Sequence, residues 1–253
     1  MIEECHTVLT EWTQEEGVSM TRRDIRFDEP LYTVAEVARM IDVPPSTLAT
    51  WTKGYRRDYA GRSPVIGGAV VTAFSAEGQS PSIPFVGLAE AFVLAAVRRS
   101  GVPMQRVRPA LAALELEMHL RHALASQRLY SDGAEILYDF SADQIDLEVI
   151  KSLVVVRNGQ RVFVDVVREQ LQRIEYAADG YANMIRIPAY RSNVLCDPTR
   201  SFGRAIFARG GTQVDDVIAR FHSGESIEEL TEEFGVSVSD IEDALRVASR
   251  RAA

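Results

Sequence analysis

Basic and hydroxyl side chains crowd one stretch of this chain: Arg39, Ser46, Thr47, Thr50, Lys53, Arg56, Arg57 and Arg62. Guanidinium and ammonium groups pair with phosphates, Ser and Thr bond to phosphates or base edges, and the methyl of Ala49 suits a thymine. That is nucleic-acid chemistry. Residues arranged for catalysis are harder to find. His119 and His122 stand three apart with Glu115 a turn earlier, an H-x-x-H pair on an expected helix, but no further metal ligand lies nearby. A solvated helix face explains them more simply. Asp197, Asp215 and Asp216 form an acidic set that helix capping and solvation account for, and Gly203, Gly210 and Gly211 suit a tight turn better than an anion cradle. There is no G-x-S-x-G, P-loop or G-x-G-x-x-G motif. Cys5 and Cys196 are too isolated for a zinc site and are expected to be two reduced thiols. No enzyme, cofactor or metal is expected.

Composition sets the bounds. The 253 residues suggest two domains and suffice for a real core. No apolar run approaches the roughly 20 residues needed to span a bilayer, and the acidic N-terminus lacks a signal-peptide pattern. The expected location is the cytoplasm, with no membrane partner. The net charge of −8 argues against indiscriminate nucleic-acid binding. Its distribution is uneven: residues 1–30 carry −5, whereas residues 31–62 and 63–130 carry +2 each. The cluster described above lies in the positive part.

The elements that must position these side chains follow from periodicity. Thr33 with Glu36 makes a capping box, and Val34, Val37, Ala38 and Ile41 form the apolar stripe of a first helix. Asp42-Val43 turns the chain, and Pro45 opens a second helix with Leu48 and Trp51 inward. This is a helix-turn-helix. Residues 53–84 suit a small wing and loop, and residues 85–99 a strongly apolar helix. Met104 to Leu124 continue as helix, and residues 140–150 suit a short one. Asn158-Gly159 between β-branched runs marks a hairpin, residues 167–177 suggest a helix, and residues 182–190 a strand. From 212 to 249 three helices recur, with a second capping box at Ser226 and Glu229. The expected fold is α+β, mainly α. Its expected divisions are an acidic extension (1–30), a winged helix-turn-helix domain (31–130), a hairpin-containing connection (131–190) and a C-terminal helical domain (191–253).

The order Tyr32-Thr33-Val34-Ala35-Glu36-Val37-Ala38, then Val43-Pro44-Pro45-Ser46-Thr47-Leu48 and Trp51, resembles the DNA-binding domain of MerR-type regulators. Residues 85–111 resemble the helical segment that follows it there. The C-terminal string resembles a different family, domain of unknown function 433, common in antitoxins. It runs through Asp197-Pro198, Gly203, Gly210-Gly211-Thr212, Gly224-Glu225-Ser226-Ile227-Glu228-Glu229-Leu230 and Phe234-Gly235-Val236. The glycine segment departs from that family's usual pattern at Gly203-Arg204-Ala205 and Gly211-Thr212-Gln213. Together the two halves are similar to VapB-type antitoxins. The resemblance implies a PIN-domain ribonuclease toxin as partner, whose acidic cluster holds a divalent metal, together with autoregulation through operator DNA. Arginines that could reach such an acidic site are Arg204, Arg246, Arg250 and Arg251; the alternative is that they stay solvated and favour a helix C-terminus through its dipole.

The two helix-turn-helix patterns differ in charge. The last helix opens Ser239-Asp240-Ile241-Glu242-Asp243, three carboxylates expected on its exposed face, and the helix before it adds Glu228, Glu229, Glu232 and Glu233. Such a face repels phosphate. The N-terminal unit therefore reads as the DNA binder, working as a homodimer on paired half-sites. The 85–99 helix and the 153–164 hairpin are candidate dimer surfaces, or plain core. Two other readings stay open: a ligand-responsive transcription regulator, and an adaptor that binds protein but no DNA.

Overall fold

The computed structural model describes residues 23–59 and 61–99, isolated positions between 104 and 119, residues 121–131, 154–157 and 160–163, and residues 165–252. Most of the expected acidic extension and the helix expected at 140–150 lie outside them.

Helix α1 (Ile25–Asp28) leads in. Helix α2 (Val34–Ile41) starts at the expected capping box: the Thr33 hydroxyl accepts from the Glu36 N–H at 3.2 Å, and Glu36 Oε2 accepts from the Thr33 N–H at 2.8 Å. Two orphan amides are satisfied reciprocally. Val37, Ala38 and Ile41 are buried, and Asp42 ends the helix in the left-handed region at φ 56°. Helix α3 (Pro45–Lys53) buries Leu48 and Trp51. Gly54 then releases the chain into the wing, antiparallel strands β1 (Tyr55–Tyr59) and β2 (Arg62–Gly67), with Tyr55 opposite Gly67. A Cβ on Gly67 would collide with the Tyr55 ring. Beyond the wing, the Val70 and Val71 amides both donate to the Trp51 carbonyl, at 2.8 and 3.1 Å, and tie the chain back to the end of α3.

Helix α4 (Phe85–Arg99) is the centre of the molecule. Every residue from Phe85 to Val97 is buried, not only one stripe. A helix covered all round is core. Of the two readings left open for this helix, the structure shows plain core: α1, α2, the 3-10 turn Ala123–Ala125 and helix α6 (Asp165–Leu171) pack on it within the same chain. Its one carboxylate, Glu90, accepts the Thr72 N–H at 2.6 Å and the Thr72 hydroxyl at 3.1 Å, and lies 2.8 Å from His122 Nδ1.

Helical turns recur at positions between 104 and 116, and α5 (Gln127–Ser131) follows the 3-10 turn. The expected hairpin is present as β3 (Val154–Arg157) and β4 (Gln160–Phe163), with Arg157 opposite Gln160. After α6, four short strands form an antiparallel sheet in sequence order: β5 (Ile174–Tyr176), β6 (Ala182–Arg186), β7 (Val194–Cys196) and β8 (Ala205–Phe207). Three helices close the chain: α7 (Val214–His222), α8 (Ile227–Phe234) and α9 (Val238–Ala252). The Ser226–Glu229 box caps α8, and Gly235 ends it at φ 64°. The fold is α+β, mainly α, as expected.

The two ends of the chain share one core. The buried Tyr32 hydroxyl, just ahead of α2, donates to the Gly203 carbonyl at 2.8 Å, and a Cβ on Gly203 would collide with that hydroxyl. Arg26 adds a second link, clamped between Asp24 and Asp179.

Candidate nucleic-acid interface and partner surface

Helix α3 presents Ser46 to solvent, with Thr47, Ala49 and Thr50 half-buried. Its hydroxyls are not idle. Thr47 Oγ1 accepts from Arg98 at 3.1 Å, and Thr50 Oγ1 donates to the Ser46 carbonyl at 2.9 Å. Ser46 thus offers the open hydroxyl of this face, while those of Thr47 and Thr50 already have bonds made. Arg98, from the end of α4, joins this face; sequence alone does not show it, because only folding places it there. Across the helix, Arg108 Nη2 reaches the Thr50 carbonyl at 3.4 Å and its guanidinium stacks over Tyr55, 5.3 Å from the ring centre. Burial lowers the pKa of Arg108 against the pull of Tyr55.

Lys53 is exposed at the end of α3. Arg56 and Arg57, both expected on the DNA face, sit at successive positions of β1 and so point to opposite faces of the wing. Arg57 shares its side with Tyr55, 5.4 Å from the ring centre, and Arg56 pairs with Asp58 at 3.1 Å. Both members of that pair are exposed, so it is worth at most about 1 kcal/mol and gives way readily to a phosphate. Arg62 opens β2 opposite Tyr59, and its side chain lies outside the described residues.

Arg39 falls elsewhere. It lines a cleft of about 510 Å³ between the ends of α2 and α4, α6 and α9, together with Arg99, Arg173 and Arg250. The structure therefore brings one residue expected on the DNA face and one expected on the partner face into a single cleft, with Glu169 and Asp42 on its rim.

The remaining partner-face arginines separate. Arg246 pairs with Asp243 at 2.7 Å, and Asp243 is buried. This corrects the expectation of three exposed carboxylates at the start of α9. Asp243 Oδ2 accepts the Arg191 amide at 2.6 Å and the Ser192 amide and hydroxyl at 2.9 Å each. Burial pushes its carboxyl up, but those donors and Arg246 outweigh it and hold it below the usual carboxylate range. Asp240 is spent on capping, accepting from Ser237 Oγ at 2.7 Å. Arg204 is exposed ahead of β8 and donates to Gln213 at 3.4 Å. Arg251 ends α9, its side chain outside the described residues.

His119 and His122 lie in turns with left-handed backbone, φ 47° and 58°, not on a helix face. His122 also meets Thr72 Oγ1 at 3.0 Å. Glu115 faces the same cavity of about 450 Å³, and burial together with Glu90 raises its carboxyl. Among the described residues no group of three or more His, Cys, Asp or Glu is placed to hold a metal. Gly210 and Gly211 form the tight turn after β8, where the Gly211 amide donates to Phe207.

Known proteins share this arrangement. Residues 30–111 match the family model described as "Putative DNA-binding HTH domain", and residues 194–248 match "Protein of unknown function (DUF433)". The protein named "Putative antitoxin VapB45" of Mycobacterium tuberculosis is 43% identical over 228 residues, covering 88% of this chain and 95% of its own. The chain belongs to the VapB45 antitoxin family. Identity of that level over nearly the whole relative carries both halves together. "Uncharacterized protein Rv2308" of the same organism is 26% identical over 223 residues, 86% of this chain and 90% of its own. The crystal structure of Rv2018 from Mycobacterium tuberculosis matches with a TM-score of 0.77 and 41% identity, covering 87% of this chain and 99% of that one. No helix among the described residues is long and apolar enough to cross a membrane.

Proposed function

We propose that this protein is the antitoxin of a type II toxin–antitoxin pair in the cytoplasm, acting as a homodimer. It sequesters a PIN-domain ribonuclease toxin and represses its own operon by binding operator DNA. The observation that carries this reading is the 43% identity to a protein named an antitoxin across 95% of that relative's length. In this reading residues 31–130 hold DNA. Ser46, Thr47 and Thr50 meet the groove, while Lys53, Arg56, Arg57 and Arg62 neutralise phosphates, helped by Arg98; Arg39, turned into the cleft with Arg250, takes no part. Residues 191–253 hold the toxin, with Arg204, Arg250 and Arg251 nearest the partner and Arg246 positioned by Asp243. A PIN-domain gene should lie beside this one, and co-expression with its product should rescue growth and yield a stable complex that shifts promoter DNA. Lys53→Ala and Arg57→Ala each take one cation away from the phosphates, so each should reduce the salt slope of operator binding by about 1. No rescue and no complex would refute the antitoxin assignment.

A second reading, a ligand-responsive regulator, draws on the 450 Å³ cavity lined by Thr52, Glu90, Arg108 and His122, which abuts the end of α3. It requires a small molecule that changes operator affinity without any toxin present.

A further inference from the structure

The loop between β7 and β8 stands out for its backbone. Ser201, Phe202 and Gly203 are all left-handed, with φ of 47°, 52° and 74°. Glycine tolerates this region, but a bulky side chain clashes there, and such a residue is a genuine outlier. The loop is nevertheless well braced. Asp197 Oδ1 accepts from the Thr199 amide at 2.8 Å and the Thr199 hydroxyl at 2.7 Å. The Arg200, Gly203 and Arg204 amides close successive turns on Asp197, Arg200 and Ser201. From below, the buried Tyr32 hydroxyl holds the Gly203 carbonyl.

All this rigidity presents a phenyl ring to water. Phe202 is 75% exposed, the most exposed large apolar side chain among the described residues. The strain is therefore not offset by burial within the chain. Exposed arginines flank the ring in sequence, Arg200 before it and Arg204 after it. The Asp197 carboxylate, which would otherwise oppose them, is turned to Thr199. Backbone strain that the surroundings enforce clusters at binding and switch sites. Aromatic rings and arginines are the residues that most often dominate protein–protein binding energy. A pre-formed loop also avoids the ordering cost of association.

We propose that Phe202, flanked by Arg200 and Arg204, is the anchor by which this protein grips its toxin. The toxin surface that fits is acidic, with an apolar pocket that takes a phenyl ring. This rests on the antitoxin reading above and moves the weight of partner binding from the C-terminal arginines to this loop. A DNA backbone would satisfy the arginines alone; the unburied ring favours a protein.

The full-length chain and its toxin test this by calorimetric titration, with Phe202→Gly and the double variant Arg200→Glu/Arg204→Glu. Glycine suits the φ of 52°, so Phe202→Gly should melt no lower than the wild type. It should lose toxin affinity by roughly 30-fold or more, as a hot-spot residue does. Charge reversal should weaken the complex similarly, and operator binding should stay unchanged in both. Toxin affinity within about threefold of wild type in both variants would overturn the anchor, and so would loss of operator binding with toxin binding intact, which would assign the loop to DNA. If the wild-type chain captures no toxin, the antitoxin reading falls and the anchor with it.

Discussion

Replacing Tyr32 with Phe removes one oxygen and tests whether the two ends of the chain form a single cooperative unit. The hydroxyl is buried, its residue 1% exposed, and it donates to the Gly203 carbonyl 171 residues away at 2.8 Å. Phe fills almost the same volume, so no large cavity opens. The substitution removes the bond and leaves a buried carbonyl without that donor, at a cost of about 1–3 kcal/mol. Taking about 2 kcal/mol and a urea slope of roughly 3 kcal/mol per molar, the denaturation midpoint should fall by about 0.7 M with the slope unchanged. Burial holds the phenol well above its ordinary range, with the nearby Cys196, Asp197 and Glu36 adding to the effect. A raised folded-state pKa means that Tyr32 contributes fully below pH ~10 and loses its contribution as pH climbs past that value. The gap between wild type and Y32F should therefore narrow in alkaline urea titrations. A midpoint shift below about 0.2 M, or two separate transitions in the wild type followed by fluorescence and circular dichroism, would refute the reasoning.

Two further outcomes follow from buried groups in the C-terminal half. Asp243→Asn keeps an acceptor but loses the charge that Arg246 and two amides face, and should cost about 2–3 kcal/mol at pH 7. Because the Asp243 carboxyl is held below its unfolded value, its contribution is present above about pH 4 and lost as pH falls through the folded pKa. The wild-type and D243N stabilities should thus converge in acid unfolding curves. Cys196 is fully buried, and burial pushes its thiol up to about 12, with Asp215 adding to it. In a Cys5→Ser background it should resist Ellman's reagent in the native state and react once unfolded; rapid native labelling would contradict this.

The sequence was most legible where structure is local. The Thr33 and Ser226 boxes, the Asp42 and Gly235 helix ends and the wing follow from residues within a few positions of one another. Strands β5, β7 and β8 were not anticipated, and β5 falls within residues 167–177, where a helix was expected. Each has three residues, and Val194, Leu195 and Cys196 are all buried, so neither length nor alternation marked them. For α4 the sequence left core and dimer surface open, because the elements that cover it come from distant parts of the chain. For the proposed interface, residue types marked a helix and a wing but not their partners in space. Arg98 reaching Thr47, Arg39 sharing a cleft with Arg250 and Asp243 turning inward join residues 50 or more apart, or faces that periodicity assigns only roughly.

A leucine at position 90 would suit the apolar surroundings of α4, yet the chain keeps a carboxylate there. Glu90 takes the amide of Thr72 on Oε2 and its hydroxyl on Oε1, bonds that no apolar side chain could make. Apolar neighbours tolerate sliding; this pair of bonds does not. The stretch from Ala69 to Ala73 is thereby locked in register against the central helix, and through the Trp51 carbonyl so is the far end of α3. The core thus works as a gauge that sets the distance between α3 and the wing, and in the proposed function that spacing is fixed before either meets a duplex.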